Sequence, residues 1–383
     1  MTIQLDPEIG NNFCYAPWTN IHVSTQGDYK TCCAGTINFG KLKITPIEEI
    51  LSDKKLIEIK QAVYNNQYHE NCEVCVKSEK HSSSSERNWY YSIAENKKLN
   101  LDKIENSILQ NLDVRWSNTC NLSCVYCDSW ASSQWSALKN IPVERLDYKD
   151  TLDGILKFIE LNKSTLRQIS LLGGEPLLQK ENDSLLDIIT DDVLIYVITN
   201  LSVPLEKNKI FSKLIEKSNV VWDISFDTVE EKFEYVRHGS SWDMMLKNIK
   251  LLKENTKNKP GHGIAVTSQY SIYNALELTK IYDSFAAYDL PNMRWSELTD
   301  PKILSVVNLP QTFINRAIKE LENCVGLPNA TPFLEQILNS LKEVNSTTTN
   351  CNDLYTWHKN QEQQYWPDFK YKFSDLWQEY KEL

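Results

Sequence analysis

Ten cysteines stand in this chain of 383 residues, and their grouping constrains it more than any other feature. Cys14, Cys32, Cys33, Cys72 and Cys75 occupy the first fifth of the sequence, Cys120, Cys124 and Cys127 form one tight run, and Cys324 and Cys351 stand alone. The N-terminus, MTIQLDPEIGNN, has no basic segment followed by an apolar one, so a secretory signal is not expected and the protein is placed in the cytoplasm. Thiols stay reduced there, and grouped cysteines then read as metal ligands or reactive groups rather than disulfides. The longest uncharged apolar-rich run, Val193 to Leu205, falls short of the ~20 residues that cross a bilayer and is broken by Asn200 and Pro204. No membrane span is expected. A formal charge of -10 argues against general nucleic-acid binding.

From about Leu109 the chain turns regular. Apolar runs alternate with amphipathic stretches: LQNLDVRW, a helical pattern near Leu152–Leu161, LRQISLL, Ser184–Ile189, VLIYVITN, Leu205–Glu216, VVWDISF, Trp242–Lys253, GIAVTSQY, Ala275–Phe285 and NMRWSEL. Six strand-like runs alternating with helices predict an α/β fold of repeated βα units on a parallel sheet, open or partly closed as a barrel. Residues 1–105 show little regular periodicity, carry five cysteines and include the polar stretch SEKHSSSSER. They read as a small metal-stapled domain. From Pro301 onward the apolar spacing in TFINRAIKEL and FLEQILNSL predicts a helical extension, with NSTTTN as a loop. The expected division is therefore 1–105, 106–300 and 301–383.

The run CNLSCVYC sets Cys120, Cys124 and Cys127 in a C-x3-C-x2-C arrangement directly after the first strand-like run. Three thiolates on one loop hold three corners of a cubane, and a 4Fe–4S cluster normally takes four cysteines, so one iron stays open to an outside ligand. Structural zinc competes with this reading, but it wants four protein ligands and the loop offers no fourth. Three spectator thiols are the blander alternative.

With Tyr126 as its aromatic residue, the loop resembles the C-x3-C-x-aromatic-C loop of the radical S-adenosylmethionine (SAM) superfamily, which follows the first strand of a partial (β/α)6 barrel. In LLGGEPLL, Gly173, Gly174, Glu175 and Pro176 resemble the family's GGEP segment, which binds the methionine amino group of SAM. Glycines let a backbone edge approach a ligand, and a carboxylate pairs with an ammonium. An ordinary strand-to-helix turn is the competing reading. Asn200, ending VITN, and Ser225 and Asp227, ending WDISFD, stand where the resemblance implies polar contacts to the ribose or methionine part of SAM. Each also reads as a cap of the following helix. Arg237, in EYVRHGSSW, resembles a segment of some radical SAM maturases and is either a partner of the SAM carboxylate or a surface charge. The sixth-strand glycine pattern of the family is not evident in NMRWSEL.

The first cysteines form a second constellation, C-x12-G-x4-C from Cys14 through Gly27 to Cys32, followed by Cys72-x2-Cys75. This resembles the auxiliary-cluster domains called SPASM and twitch, whose first half is a β-hairpin with a cysteine at either end and a glycine at its turn. IHVSTQGDYKTCC alternates on both sides of a QGD turn, as a hairpin does. Cys14, Cys32, Cys72 and Cys75 suffice for one further 4Fe–4S cluster, with Cys33 spare or standing in for Cys32. A zinc knuckle on the same four thiols competes. In the best-known relatives this domain follows the barrel, whereas here it precedes it. His22, His69 and His81 lie near these cysteines but read more readily as structural, and Cys324 and Cys351 as buried spectators rather than hydrogen donors or ligands. Trp357, Tyr365, Trp366 and Trp377 are expected to pack on the barrel.

The resemblance implies an enzyme that cleaves SAM reductively to methionine and a 5′-deoxyadenosyl radical, which removes a hydrogen atom from a peptide or small-molecule substrate. It also implies an electron donor such as flavodoxin or ferredoxin. Cys14 comes almost at once, which weakens the expectation of a leading peptide-recognition module. A non-catalytic iron–sulfur or zinc protein that transfers electrons or holds a partner is the alternative, and it leaves GGEP unexplained.

Overall fold

The computed structural model describes residues 3–4, 13–41, 45–79, 85–95, 100–101, 107–142, 148–290, 293–327, 332–344 and 351–382. His81 and the middle of SEKHSSSSER, the NSTTTN stretch and the Cys351 side chain lie outside what is described. Among the described residues ten strands occur: β1 (Ile3–Gln4), β2 (Asn20–Val23), β3 (Tyr29–Lys30), β4 (Asn100–Leu101), β5 (Asn111–Val114), β6 (Gln168–Leu171), β7 (Leu194–Thr199), β8 (Val220–Ser225), β9 (His262–Tyr270) and β10 (Met293–Glu297). β1 and β4 form an antiparallel pair, and the other eight make one sheet in the order β10-β9-β8-β7-β6-β5-β2-β3. The six strands expected from the alternation are β5 to β10, side by side in chain order, which is the strand order of a partial (β/α)6 barrel.

The register explains the composition of these strands. Leu112, Ile169 and Ile195 face one another across β5, β6 and β7, and one step along so do Asp113, Ser170 and Tyr196. One set is apolar and the other carries the polar groups. Both are largely buried, as a parallel sheet covered on two faces requires. The connecting helices are Tyr148–Asn162, Glu181–Ile188, Lys209–Glu216, Trp242–Thr256 and Leu278–Ala287. Two of them begin later than the periodicity predicts. Leu205–Lys207 is a 3-10 turn, and the helix starts only after Asn208, whose side chain accepts from Phe211 N at 2.8 Å. The stretch from Ala275 waits until Leu278, because the buried Asn274 amide spends its hydrogen bonds on Ser271, Asp227 and Gln269.

Contacts divide the chain into two compact units: Met1–Thr119 with Val143–Ile198 and Asn208–Val221, and Cys120–Pro142 with Thr199–Lys207 and Trp222–Leu383. In the first, the hairpin β2–β3 turns at Gly27, whose φ of 76° favours glycine. β2 also pairs in parallel with β5, His22 opposite Asp113, so the cysteine-bearing hairpin continues the sheet. This unit holds a helix that the sequence reading missed, Lys54–Tyr64, which buries Leu56, Ile59 and Val63. Lys60 sits on the same buried face, donating to Ser107 Oγ at 2.6 Å, and masks the apolar stripe. In the second unit lie the expected C-terminal helices, Gln311–Cys324 and Pro332–Glu343, and a further one, Cys351–Tyr365. Among the described residues no helix is long and apolar enough to cross a membrane.

Candidate metal centres and cofactor site

The second unit carries the three-thiol run, on the loop that leads from β5 to the short helix Ser133–Leu138. Local hydrogen bonds define its shape: Cys127 N to Cys124 O at 2.9 Å, Ser133 Oγ with both Cys120 N and Cys120 O at 3.1 Å, and Trp135 Nε1 to Cys124 O at 2.9 Å. Ser123 N and Val125 N donate to His238 O and Val236 O, and Gly239, with φ +99°, would set a Cβ only 3.0 Å from Asn121 O. The loop is thus clamped to the run EYVRHG.

Three of the residues singled out from the sequence meet here. Tyr126 OH donates to Asp227 Oδ2 at 2.5 Å, Arg237 Nη2 lies 2.8 Å from the same oxygen, and it donates to Tyr126 OH at 3.0 Å. Asp227 also accepts from Gln269 N at 3.0 Å. The ion pair is buried, so Arg237 is no surface charge, and its guanidinium is spent on Asp227 and Tyr126 with Nε left unpartnered. Burial pushes the Cys124 thiol well up, and the Arg237 charge pulls it part of the way back. Asn200 Nδ2 donates to Asn121 Oδ1 at 3.0 Å and points at Cys120 Sγ at 3.7 Å. Leu122 N also reaches Cys120 Sγ, at 3.5 Å. N–H groups aimed at a sulfur suit a thiolate ligand. Ser225 closes β8, half-buried. A cleft of about 370 Å³ opens beside the loop, between Asn121, Ser123 and residues 365–369.

In the first unit, Gly173 and Gly174 are required by close approach. A Cβ on Gly174 would stand 2.3 Å from Thr119 O, and one on Gly173, φ +120°, 2.8 Å from Ser117 O. What approaches them is the chain's own backbone just before Cys120: Gly174 N donates to Ser117 O and Glu175 N to Thr119 O at 2.8 Å. Gln179 fixes the same stretch, accepting from Trp116 N at 3.2 Å. Glu175 is fully buried and accepts from Leu177 N at 3.0 Å, capping the 3-10 turn that begins at Pro176.

The first unit also gathers Cys14, Cys32, Cys72 and Cys75, which together line one cavity with Thr31, Asn71, Arg87 and Tyr90. Among the described residues no three His, Cys, Asp or Glu side chains converge on a point as a single-ion cage requires. The four thiols form a cavity wall instead. Burial pushes Cys32 up to about 12 and Cys72 to about 11, and the neighbouring thiols add to both. The Arg87 charge opposes the rise at Cys72. Burial thereby favours neutral thiols, and a ligand set for a cationic group needs them deprotonated. Arg87 supplies compensating charge. Its Nη1 is buried with no hydrogen-bond partner, so a group with sulfur acceptors fits the cavity.

Cys33 does not line this cavity. It hydrogen-bonds Glu86, and Asp113 and Arg115 stand near it. His22 Nδ1 bonds Asp113 Oδ2 at 2.7 Å, and His69 caps the turn Glu70–Cys72 through Asn71 N at 3.1 Å, so both act within the protein. Burial would raise Asp113, but Arg115 and then His22 outweigh it and hold the carboxyl below its ordinary value. Cys324 is buried beside Thr279 Oγ1 at 3.6 Å. Tyr365 and Trp366 pack edge-on and tilted against Trp135, at 5.1 and 5.3 Å, and Trp377 stacks on Phe373 at 5.1 Å. Trp357 meets His358 at 4.8 Å. Arg87 and Glu79 escaped the sequence reading, although both lie within SEKHSSSSER.

A family model described as the Radical SAM superfamily matches residues 114–268, and one described as an iron–sulfur cluster-binding domain, SPASM, matches residues 14–76. No curated protein matches the chain. Among solved structures, a hexahistidine-tagged anSMEcpe with bound AdoMet is 16% identical, the match covering 62% of this chain and 63% of that one, with a TM-score of 0.43. SuiB of Streptococcus suis bound to S-adenosylmethionine is 18% identical over 74% of this chain and 62% of its own, also at 0.43. This chain spans less than two thirds of either protein.

Proposed function

We propose, for a chain that belongs to the radical SAM superfamily and carries an iron–sulfur cluster-binding SPASM domain ahead of its core, that Cys120, Cys124 and Cys127 hold the catalytic 4Fe–4S cluster and leave one iron for SAM. The observation that carries this reading is the three-thiol loop itself, which has no fourth cysteine within the motif and is held from inside by Tyr126. A cluster held there would supply one electron for the cleavage of bound SAM to methionine and a 5′-deoxyadenosyl radical, the species that would take a hydrogen atom from the substrate.

The chain's own residues bind, orient and exclude water. In this reading the Gly173–Pro176 backbone presents Glu175 to the SAM ammonium, while Asn200 and Ser225 contact its ribose or methionine part. Asp227, Arg237 and Tyr126 fix the cysteine loop. Cys14, Cys32, Cys72 and Cys75 hold a second 4Fe–4S cluster whose irons are all taken by thiolates, which suits electron transfer or support more than substrate ligation. The substrate is a peptide or a small molecule bearing the C–H bond to be broken, and the electron comes from a donor such as flavodoxin or ferredoxin.

Anaerobic reconstitution with iron and sulfide tests this. Roughly eight irons per chain are expected, with 5′-deoxyadenosine formed on adding SAM and a reductant. Cys124→Ala should abolish SAM cleavage, while Cys72→Ala should lose about half the iron and keep some cleavage. A fully loaded protein that never cleaves SAM would sink the reading in favour of a non-catalytic iron–sulfur protein.

A further inference from the structure

We propose that Arg87 belongs to the auxiliary metal centre: its Nη1 N–H groups bond the sulfurs of the cluster held by Cys14, Cys32, Cys72 and Cys75, and its charge sets that cluster's reduction potential. The proposal rests on the four-cysteine reading above. Its starting point is an imbalance in how the guanidinium is used. Arg87 Nε donates to Glu79 Oε1 at 3.0 Å, and Nη2 pairs with Glu79 Oε2. A planar fork that spends Nε and Nη2 on one carboxylate turns its remaining nitrogen to the opposite side.

That nitrogen, Nη1, is buried and has no partner, on a residue only 7% exposed that lines the cysteine cavity. Buried guanidinium donors are rarely left unmade, so an acceptor belongs there. Glu79 is itself fixed by Ser85 Oγ, which prevents the fork from swinging away. The start of the helix Glu86–Glu95 adds a second set of donors, for the backbone N–H groups of Glu86 and Arg87 hydrogen-bond the Cys75 thiol. A cubane on four thiolates carries net negative charge in both of its usual states, and cluster potentials follow net charge and hydrogen bonds to sulfur. A cation with a free donor facing the sulfurs stabilises the more negative, reduced state.

The test uses the full-length chain with Cys120→Ala, Cys124→Ala and Cys127→Ala, in which only the auxiliary centre can load, titrated potentiometrically and followed by electron paramagnetic resonance. In that background Arg87→Met should lower the ratio of reduced to oxidised cluster at a fixed potential about tenfold or more, a shift of roughly 59 mV for a one-electron couple. Arg87→Lys should shift it less. Glu79→Gln should shift it the other way, because it leaves the arginine charge uncompensated. Iron lost from Arg87→Met but kept by Arg87→Lys also supports the charge role. An unchanged potential in a fully loaded Arg87→Met chain overturns the proposal, as does a shift of the same sign in Arg87→Met and Glu79→Gln. Equal loss of iron from the Met and Lys variants overturns it too. A triple-alanine chain that binds no iron at all instead removes the four-cysteine reading beneath it.

Discussion

Both cysteine sites are attended by a buried arginine paired to a carboxylate, Arg237 with Asp227 and Arg87 with Glu79, yet the two pairs are used differently. Around the three-thiol loop the pair closes on Tyr126, a residue of the cysteine motif itself, so the clamp acts from within the motif. Around the four-thiol cavity the arginine lines the same wall as the thiols, and the nitrogen it leaves unspent is Nη1 at the tip of the fork, whereas Arg237 leaves only Nε. On the proposed ligand set, a loop that leaves one iron open has fewer protein ligands to hold it in shape, and the tie through Tyr126 would make up the difference. On the same proposed set, four thiols would already fix their group, and the cation would be free to act as counter-charge.

The sharpest way to break this contrast is Asp227→Asn. It strands the Arg237 charge in a buried site, and losing one partner of such a pair costs about 3–5 kcal/mol. Urea denaturation should show the loss, SAM cleavage should fall with it, and auxiliary iron should persist. Equal loss of iron from both sites would mean that the two regions are not separately held. A somewhat smaller effect is expected from Gly174→Ala. Its Cβ would meet Thr119 O at 2.3 Å, and overpacking of this kind typically costs about 1–3 kcal/mol. It should weaken SAM binding measured by equilibrium dialysis, and auxiliary iron should be unaffected. The smallest effect separates neighbours: Cys33→Ala should keep full iron and an unchanged visible spectrum, while Cys32→Ala should lose the auxiliary share. Iron lost from Cys33→Ala would redraw the ligand set.

The sequence displayed the βα alternation and both cysteine groups plainly, because strand runs and thiol spacings are local signals. Tyr126, Asp227 and Arg237 were each visible as candidates from motif position, but not as one triad, since the contact joins residues about a hundred positions apart. GGEP was legible as a segment whose glycines let backbone approach a ligand. That it lies against residues 117–119 needed the fold. Arg87 was hidden for a different reason. It stands in a polar, serine-rich stretch whose composition resembles a loop, and only burial distinguishes a structural arginine from a solvated one. The helix Lys54–Tyr64 was concealed by Lys60, a charge on its buried face.

The parallel pairing of β2 with β5 has a bearing on how the chain is made. His22 faces Asp113 across 91 residues, a contact of long loop closure that ordinarily forms slowly. During synthesis Cys14 through Cys75 emerge well before β5 does. For that interval β2 offers an unpaired edge, which is an invitation to mispairing with another chain. The partner that closes this edge is β5, the strand that leads into the three-thiol loop, so the N-terminal part of the sheet is completed only once the chain has run up to the second cysteine group.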